Sequence, residues 1–222
     1  MSWRDGGLYL VTRDRAESEA LLGEVAAALD GAPVLLQYRS KSVDRALRRR
    51  QAASLLALCR ERGVPMVVND DLELALEIGA DGVHIGGDDG DPVQARAALG
   101  AGRILGVTCY DRFDRALAAR RAGADYVAFG AMYPSPTKPD TVRAPIALVR
   151  RASEALSLPV AVIGGITLDN APALVAAGAS LLAVISDVFA HPSPADRAAA
   201  YRSLFGRPGP RRESRTSPQE GF

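Results

Sequence analysis

Two lysines stand out in a chain that draws nearly all its positive charge from arginine. Only two of the 27 basic residues are lysines, Lys41 and Lys138, and each follows a short apolar segment. A lysine ammonium is a compact charge with three donors, which a planar guanidinium does not replace at every anion site. We therefore predict that both lysines bind an anion; chance placement of two lysines in loops is the alternative.

Arg39 extends this candidate anion site. Arg39 and Lys41 are two residues apart, so an extended backbone places their side chains on the same side. Together with Lys138 they form a candidate clamp for a highly charged anion. A salt bridge is the alternative role for Arg39 alone.

Two carboxylates, Asp70 and Asp89, follow the next two apolar segments. Neighbouring strands lie about 4.8 Å apart, so carboxylates at their ends can share one hard cation. Mg²⁺ fits this donor type, and no Cys/His cluster favours zinc. The combination predicts a diphosphate bridged by Mg²⁺. The alternative is structural: Asp70 or Asp71 caps a helix, and Asp89 belongs to a loop turn.

Two later segments end in groups suited to a monophosphate. Gly164 and Gly165 lie at the end of the seventh apolar segment, and Ile185 and Ser186 belong to the eighth. In many barrels, backbone N–H groups and a short helix at these positions bind phosphate. The diglycine by itself is equally compatible with a tight turn. A diphosphate site beside a monophosphate site would imply two phosphorylated substrates.

The elements that must position these residues are short and strongly apolar. Segments apolar almost throughout, rather than alternating, are typical of parallel strands covered on both faces. Stretches rich in Ala, Leu, Arg and Glu with helical spacing separate them. The predicted strands are 8–12, 34–39, 65–69, 82–86, 103–108, 126–133, 159–166 and 181–188. The predicted helices are 18–29, 43–62, 72–78, 92–99, 113–122, 146–156, 171–177 and 195–204.

The ends of the helical stretches repeat one pattern of helix, glycine, short turn and strand. A glycine there is typical of a left-handed C-terminal cap. The predicted C-caps are Gly63, Gly79, Gly123 and Gly178, and the predicted N-caps are Ser18, Ser42 and Thr167.

Eight strand–helix units in one α/β domain predict a single-domain (β/α)8 TIM barrel. A doubly wound open sheet is the alternative, but neither a GxGxxG nor a GxxxxGK[ST] motif is present. We assign residues 1–206 to the barrel and 207–222, rich in Pro, Gly, Ser and Arg, to a disordered tail. In such a barrel, the loops after the strands form the active site. The polar candidate residues lie in these predicted loops or at the strand ends beside them.

Composition excludes several classes of partner. The chain has 222 residues, 48% apolar and 24% charged, with a net charge of +1, which argues against nucleic-acid binding. No apolar run suggests a membrane span or a signal peptide. Cys59 and Cys109 suit a reducing cytoplasm as small buried residues. We interpret His84 as a buried side chain with hydrogen-bond partners. His191 is interpreted as a loop residue far from the polar ends of the strands.

Nine ordered motifs over residues 8–205 resemble those of the thiamine phosphate synthase family of (β/α)8 barrels. They are LYLVT (8–12), QYRSK (37–41), VND (68–70), GVHIG (82–86), GVT (106–108), DYV (125–127), Gly130 with Thr137-Lys138, IGGI (163–166) and VIS (184–186). The resemblance implies Mg²⁺-dependent joining of hydroxymethylpyrimidine diphosphate to a thiazole phosphate, giving thiamine phosphate and pyrophosphate. These two small molecules are the implied partners, and a homo-oligomer is left open.

The resemblance also implies roles for individual residues, with Asp70 and Asp89 as the Mg²⁺ ligands. Thr108 joins the three cations as a catalytic candidate; the family pattern usually has Ser there. The residues expected at the pyrimidine diphosphate are Gln37, Arg39, Lys41, Asn69, Thr108 and Lys138. Tyr38 and Ser40, in the same motif as Arg39, are further candidates for substrate binding. Those expected at the thiazole phosphate are Ser135, Pro136, Thr137, Gly165, Ile185 and Ser186.

Two other functions stay open at this point. One is a thiazole tautomerase, a related barrel enzyme that would lack the diphosphate clamp and need a proton-shuttling group. The other is a non-catalytic phosphate-binding barrel, which would bind ligand without Mg²⁺-dependent release of pyrophosphate.

Overall fold

Eight parallel strands alternate with helices and close into a barrel in the computed structural model, which describes residues 2–86, 90–134 and 142–205. The prediction of a (β/α)8 barrel is confirmed. The strands are β1 Gly7–Val11, β2 Leu35–Tyr38, β3 Met66–Asn69, β4 Gly82–Ile85, β5 Ile104–Tyr110, β6 Tyr126–Phe129, β7 Val160–Ile163 and β8 Leu181–Val184.

Helices connect successive strands, after a 3₁₀ helix (Trp3–Asp5) that precedes β1. Among the described residues they are α1 Ser18–Leu29, α2 Arg45–Glu61, α3 Leu72–Ile78, α4 Pro92–Leu99, α5 Phe113–Arg121, α6 Ile146–Ala155, α7 Ala171–Ala176, α8 Ser186–Phe189 and α9 Pro194–Ser203. In this part of the chain, we find no helix with both the length and the hydropathy to span a bilayer.

The barrel closes because β1 pairs with both β2 and β8. In these two parallel ladders Val11 lies opposite Gln37, and Leu10 lies opposite Val184. Parallel strands joined by crossover helices all run the same way. The carboxyl ends of the strands therefore form one rim, where the loops that carry the candidate residues meet.

Two apolar layers explain why the strand sequences are continuously apolar. Along β1, Leu8 and Leu10 pack in the layer between strands and helices, whereas Tyr9 and Val11 pack inside the barrel. Alternate residues of a strand point to opposite faces, and here both faces are covered. All five residues of β1 are buried.

The four predicted glycine caps adopt the left-handed conformation, with φ between 66° and 97° at Gly63, Gly79, Gly123 and Gly178. Three predicted N-caps are wrong. The residue before α1 is Glu17 rather than Ser18, and Ser42 and Thr167 do not cap α2 and α7.

Residues two or three positions further along cap α2 and α7. Asp44, not Ser42, accepts from the Leu47 N–H at the start of α2. Asn170, not Thr167, stands before α7 and accepts the Thr167 N–H. Ser, Asp and Asn make similar turns, so only the backbone path decides which one caps the helix.

Three predicted strands are too long. The sixth and seventh end at Phe129 and Ile163, and the eighth ends at Val184, after which 186–189 form α8. Three apolar residues beyond these ends, Met132, Ile166 and Val188, are buried without being strand, and Val188 in α8 is fully buried. A short buried helix and a buried strand have the same apolar composition.

Candidate active site

Arg39 follows β2 and is held by the end of β1. Its backbone N–H donates to Thr12 Oγ1 at 2.8 Å, and the Thr12 hydroxyl donates to the Arg39 carbonyl at 3.0 Å. Thr12 is buried, so this pair of bonds fixes where the Arg39 side chain leaves the barrel. Sequence reasoning did not single out Thr12.

Asp14 orders the next two residues of the same loop. Its Oδ1 accepts the Lys41 backbone N–H at 3.0 Å and the Ser40 hydroxyl at 3.4 Å. The Lys41 side chain is exposed. Within residues 2–86, 90–134 and 142–205, neither Lys41 nor Arg39 forms a salt bridge, whereas Arg48 on α2 pairs with Asp71. Two cations at the rim without an acidic partner in the described structure are suited to an anion from solution.

Asp70 stands where the chain leaves β3. Its backbone is left-handed, with φ 58°, a conformation that Asp tolerates better than most residues. Its Oδ1 accepts the Gly86 N–H at 2.8 Å, and its Oδ2 accepts from Asn69 Nδ2 at 2.5 Å. Asp71 instead caps α3, with the Leu74 N–H donating to it at 2.8 Å. Of the two neighbouring acids, Asp71 therefore has the structural role.

The donor set at Asp70 fits Mg²⁺. Mg²⁺ needs only one or two carboxylates, because water and substrate phosphate complete its shell. The structure accordingly needs no larger cluster, and none of three or more acidic, His or Cys ligands occurs among the described residues. Asp89, the second predicted ligand, lies outside those residues.

A cavity of about 200 Å³ lies next to Asp70, between the ends of β2 and β3 and the helices α2 and α3. Tyr38, Ser40 and Asn69, all predicted to bind substrate, contribute to its wall. The structure thus brings these predicted residues together with Asp70. The cavity is lined by Tyr38, Ser40, Arg48, Val68, Asn69, Asp70, Asp71 and Leu74.

Five side chains form a hydrogen-bonded row across the barrel interior, which we call the interior network. Gln37 Nε2 donates to Tyr9 Oη at 2.6 Å, and the Tyr9 and Tyr126 hydroxyls lie 2.6 Å apart. Tyr126 Oη lies 2.8 Å from His84 Nδ1, and His84 Nε2 lies 2.8 Å from Thr108 Oγ1. The network joins two predicted substrate-binding residues, Gln37 and Thr108, from opposite ends.

Burial keeps the titratable members of the interior network neutral. It lowers the pKa of His84 to about 4 and raises the pKa of Tyr9 and of Tyr126 above the usual value for tyrosine. Both shifts disfavour the charged form. The interpretation of His84 as a satisfied interior residue is confirmed. Sequence reasoning missed Tyr9 and Tyr126, although a tyrosine on a fully buried strand needs a partner for its hydroxyl.

The diglycine after β7 forms a turn that only glycine fits. Gly164 and Gly165 have φ of 106° and 61°, and a Cβ on Gly165 would lie 2.4 Å from the Pro134 carbonyl oxygen. Asn170 Nδ2 donates to the Gly165 carbonyl at 2.9 Å. The turn interpretation of the diglycine is confirmed, and its fixed backbone still leaves Gly165 at the rim. Four neighbours predicted to contact substrate, Ser135, Pro136, Thr137 and Lys138, lie outside the described residues.

The other predicted phosphate element, Ile185 with Ser186, begins α8. It is anchored through Asp187, whose carboxylate accepts two bonds of 2.8 Å from Arg197 and one of 2.6 Å from Tyr201, both on α9. Burial opposes ionisation of Asp187, but these donors outweigh it and lower its pKa. Asp187 thus fixes α8 against α9 at the rim.

Known proteins resemble this chain over most of its length. Residues 8–188 match the family described as thiamine monophosphate synthase. A protein of Aromatoleum aromaticum named thiamine-phosphate synthase is 62% identical over 199 residues, 90% of this chain and 96% of that protein. One of the same name from Azoarcus sp. is 58% identical over 92% of this chain and all of its own length.

Solved structures agree. Thiamine phosphate pyrophosphorylase from Pyrococcus furiosus superposes with a TM-score of 0.79 at 28% identity, over 91% of this chain and 96% of that one. The 3-hexulose-6-phosphate synthase of Salmonella typhimurium, at 17% identity and a TM-score of 0.66 over 89% and 97% of the two chains, shares the fold alone. With its barrel, its rim cations and these matches, the chain belongs to the thiamine monophosphate synthase family of enzymes.

Proposed function

We propose that the protein joins 4-amino-2-methyl-5-hydroxymethylpyrimidine diphosphate to 4-methyl-5-(2-phosphoethyl)thiazole, giving thiamine phosphate and pyrophosphate. Thiamine phosphate synthesis is the activity of the family to which the chain belongs. The observation that carries the detailed proposal is the pair Arg39 and Lys41, two cations at the strand-end rim whose backbone N–H groups donate to Thr12 and Asp14. They lie on the same side of the barrel as the Asp70 carboxylate, because all three follow the carboxyl ends of strands.

The diphosphate binds to the cations. Arg39 and Lys41 donate to its oxygens from the β2 loop, and Lys138 donates from the β6 loop. Charge-assisted hydrogen bonds from fixed donors are about twice as strong as neutral ones. Mg²⁺, held by Asp70 and Asp89, would neutralise charge on the departing pyrophosphate.

The pyrimidine lies against the barrel mouth. Gln37, Asn69 and Thr108 offer an amide, an amide and a hydroxyl where β2, β3 and β5 reach the rim. Tyr38 and Ser40 line the adjoining cavity. Gln37, Asn69 and Thr108 would recognise ring nitrogens and the amino group through hydrogen bonds. The Tyr38 hydroxyl donates to Gln51 Oε1 at 2.9 Å, so Tyr38 contributes to the shape of the cavity.

The thiazole phosphate binds at the ends of β7 and β8. We expect the backbone N–H groups of Gly165, Ile185 and Ser186 to bind this phosphate together with residues 135–137, which lie outside the described structure. The site takes a monophosphate because it is built from backbone donors rather than from several cations.

The reaction is a dissociative substitution. The carbon–oxygen bond to the diphosphate breaks with its electron pair on oxygen, leaving a resonance-stabilised pyrimidine carbocation. The thiazole nitrogen then donates its lone pair to form the new carbon–nitrogen bond. No base has to remove a proton, so Arg39, Lys41 and Lys138 act by stabilising leaving-group charge, and Thr108 acts by positioning.

The experiment is to incubate the protein with both substrates and Mg²⁺, with and without a chelator, and to measure thiamine phosphate and pyrophosphate. Metal-dependent, equimolar products support the proposal; no thiamine phosphate with metal present rejects it. The variant K138A should lose about 10²–10³ in turnover with its circular dichroism unchanged. Near-normal turnover of that variant would remove Lys138 from the mechanism.

We also propose a cellular compartment for the enzyme. Two free, buried cysteines suit a reducing compartment, and both substrates are small phosphorylated metabolites. We therefore assign the protein to the cytoplasm. Light scattering would show whether it assembles as a homo-oligomer.

A further inference from the structure

The hydrogen bonds of the interior network all donate in one direction, and Gln37 sets that direction. A primary amide nitrogen donates and does not accept. Because Gln37 Nε2 lies 2.6 Å from Tyr9 Oη, the Tyr9 oxygen accepts. The hydrogen of Tyr9 must then go to the one other polar atom bonded to that hydroxyl, Tyr126 Oη, at 2.6 Å.

The same argument continues to the rim. Tyr126 Oη accepts from Tyr9, so its own hydrogen points to His84 Nδ1 at 2.8 Å. Nδ1 is therefore the unprotonated nitrogen, and a neutral imidazole carries its hydrogen on Nε2. That hydrogen goes to Thr108 Oγ1 at 2.8 Å. Each bond fixes the direction of the next.

The two terminal residues of the interior network, Gln37 and Thr108, are both predicted to contact substrate. Thr108 is half-buried, while Gln37, Tyr9, Tyr126 and His84 are buried. Since Thr108 Oγ1 accepts from within the barrel, its hydrogen is left to be donated at the rim. Since Gln37 Nε2 is engaged inward, its amide is oriented and Oε1 is left to accept.

We propose that Tyr9, Tyr126 and His84 are positioning residues that make the Thr108 hydroxyl a fixed donor, and the Gln37 carbonyl a fixed acceptor, toward the bound pyrimidine diphosphate. This rests on the proposed function for the identity of the ligand. The ligand must then place an acceptor, such as a ring nitrogen or a phosphate oxygen, at Thr108. An active site whose donors are oriented before binding pays no reorganisation cost during reaction.

The first test reads the direction of the network without any substrate. In protein labelled with ¹⁵N-histidine, nitrogen chemical shifts distinguish the two tautomers of His84. Only two histidines are present, so H191Q assigns the signals. We expect the hydrogen on Nε2 in the wild type and loss of this fixed tautomer in Y126F, which removes the donor to Nδ1. A hydrogen on Nδ1 in the wild type would overturn the proposal.

The second test is kinetic. Y126F should lower kcat/KM for the diphosphate about tenfold, the low end for residues that orient a directly acting group. If Tyr126 acts through Thr108, the same substitution made in T108V should have little further effect, because coupled residues are not additive. A full tenfold loss in both backgrounds would contradict the proposal.

Two variants of His84 distinguish a positioning role from a merely structural one. H84Q keeps one acceptor and one donor on its amide, whereas H84L keeps neither at similar volume. We expect H84Q to retain more activity than H84L at equal thermal stability; equal losses would count against a role in positioning. If the proposed function is wrong, the wild-type protein makes no thiamine phosphate. The nitrogen chemical shifts of its His84 would still show the Nε2-protonated tautomer.

Discussion

Thr12 and Arg39, which lie 27 positions apart in the sequence, are joined by two reciprocal hydrogen bonds of 2.8 and 3.0 Å. One hydroxyl at the end of β1 both accepts from and donates to the backbone of the residue after β2. The cation at the rim therefore takes its position from the neighbouring strand rather than from its own loop.

Replacing Thr12 by valine should disturb Arg39 without changing the volume of the core. T12V leaves the Arg39 N–H and carbonyl without their partner, which costs about 1–3 kcal/mol of unfolding free energy. We expect a higher KM for the pyrimidine diphosphate and a lower urea midpoint. T12S retains the hydroxyl and should stay close to the wild type; equal effects of both variants would show that the hydroxyl is not responsible.

The Arg39 side chain should matter for activity and not for stability. It forms no salt bridge in the described part of the chain, so R39M should change the unfolding free energy by less than about 0.5 kcal/mol. Turnover should fall about 10²–10³-fold, as for loss of one charge-stabilising donor. R50M is the matched control, because Arg50 is exposed on α2; a comparable loss there would show a general effect of net charge.

Stability should fall between pH 6.5 and pH 4 because of His84. Its pKa drops from the usual 6.5 to about 4 on folding, through burial. Over that window the unfolded chain binds the extra proton, so stability increases with pH and the full difference is about 3 kcal/mol. Above pH 6.5 the contribution is constant.

Urea unfolding across this range, with chelator present, measures the His84 effect. H84Q should lose this component of the pH dependence, while H191Q should keep it. Carboxylates titrate in the same range in all three proteins, so the difference between the variants is the quantity of interest. Identical pH slopes for H84Q and the wild type would mean that His84 is not desolvated as described.

Arg197 should support the proposed thiazole phosphate site from a distance. R197M removes the bidentate partner of Asp187, whose side chain is only 14% exposed, and should lower the unfolding free energy by about 1–3 kcal/mol. Because Asp187 ties α8 to α9, the KM for the thiazole phosphate should rise more than that for the diphosphate. R202M, on the exposed face of α9, should do neither.

Both thiols should be inert in the folded protein. Burial raises the pKa of Cys59 and of Cys109 to about 12, so almost no thiolate, the reactive form, is present at neutral pH. A chromogenic disulfide reagent should detect no thiol in the native state and two per chain in guanidinium chloride. Rapid native reaction of either cysteine would show that its site opens.

The strand count and the barrel could be predicted from the sequence, because continuous apolar segments such as β1 record burial on both faces. The glycine caps were equally clear, since Gly63 and Gly79 follow helical runs and adopt positive φ. The end of β8 was not clear. Residues 186–189 combine polar Ser186 and Asp187 with two buried apolar residues, and only the turn at Ile185 makes them a helix.

The fold class, the family motifs and the cations Arg39 and Lys41 can be predicted from the chain alone, because each depends on composition or on local spacing. The distant residues that hold these cations become apparent only in the folded barrel. Thr12, Asp14 and the two interior tyrosines contact their partners across strands, at separations that no local pattern records. Closing the barrel brings these groups together, and it removes the water that would otherwise satisfy their hydrogen bonds.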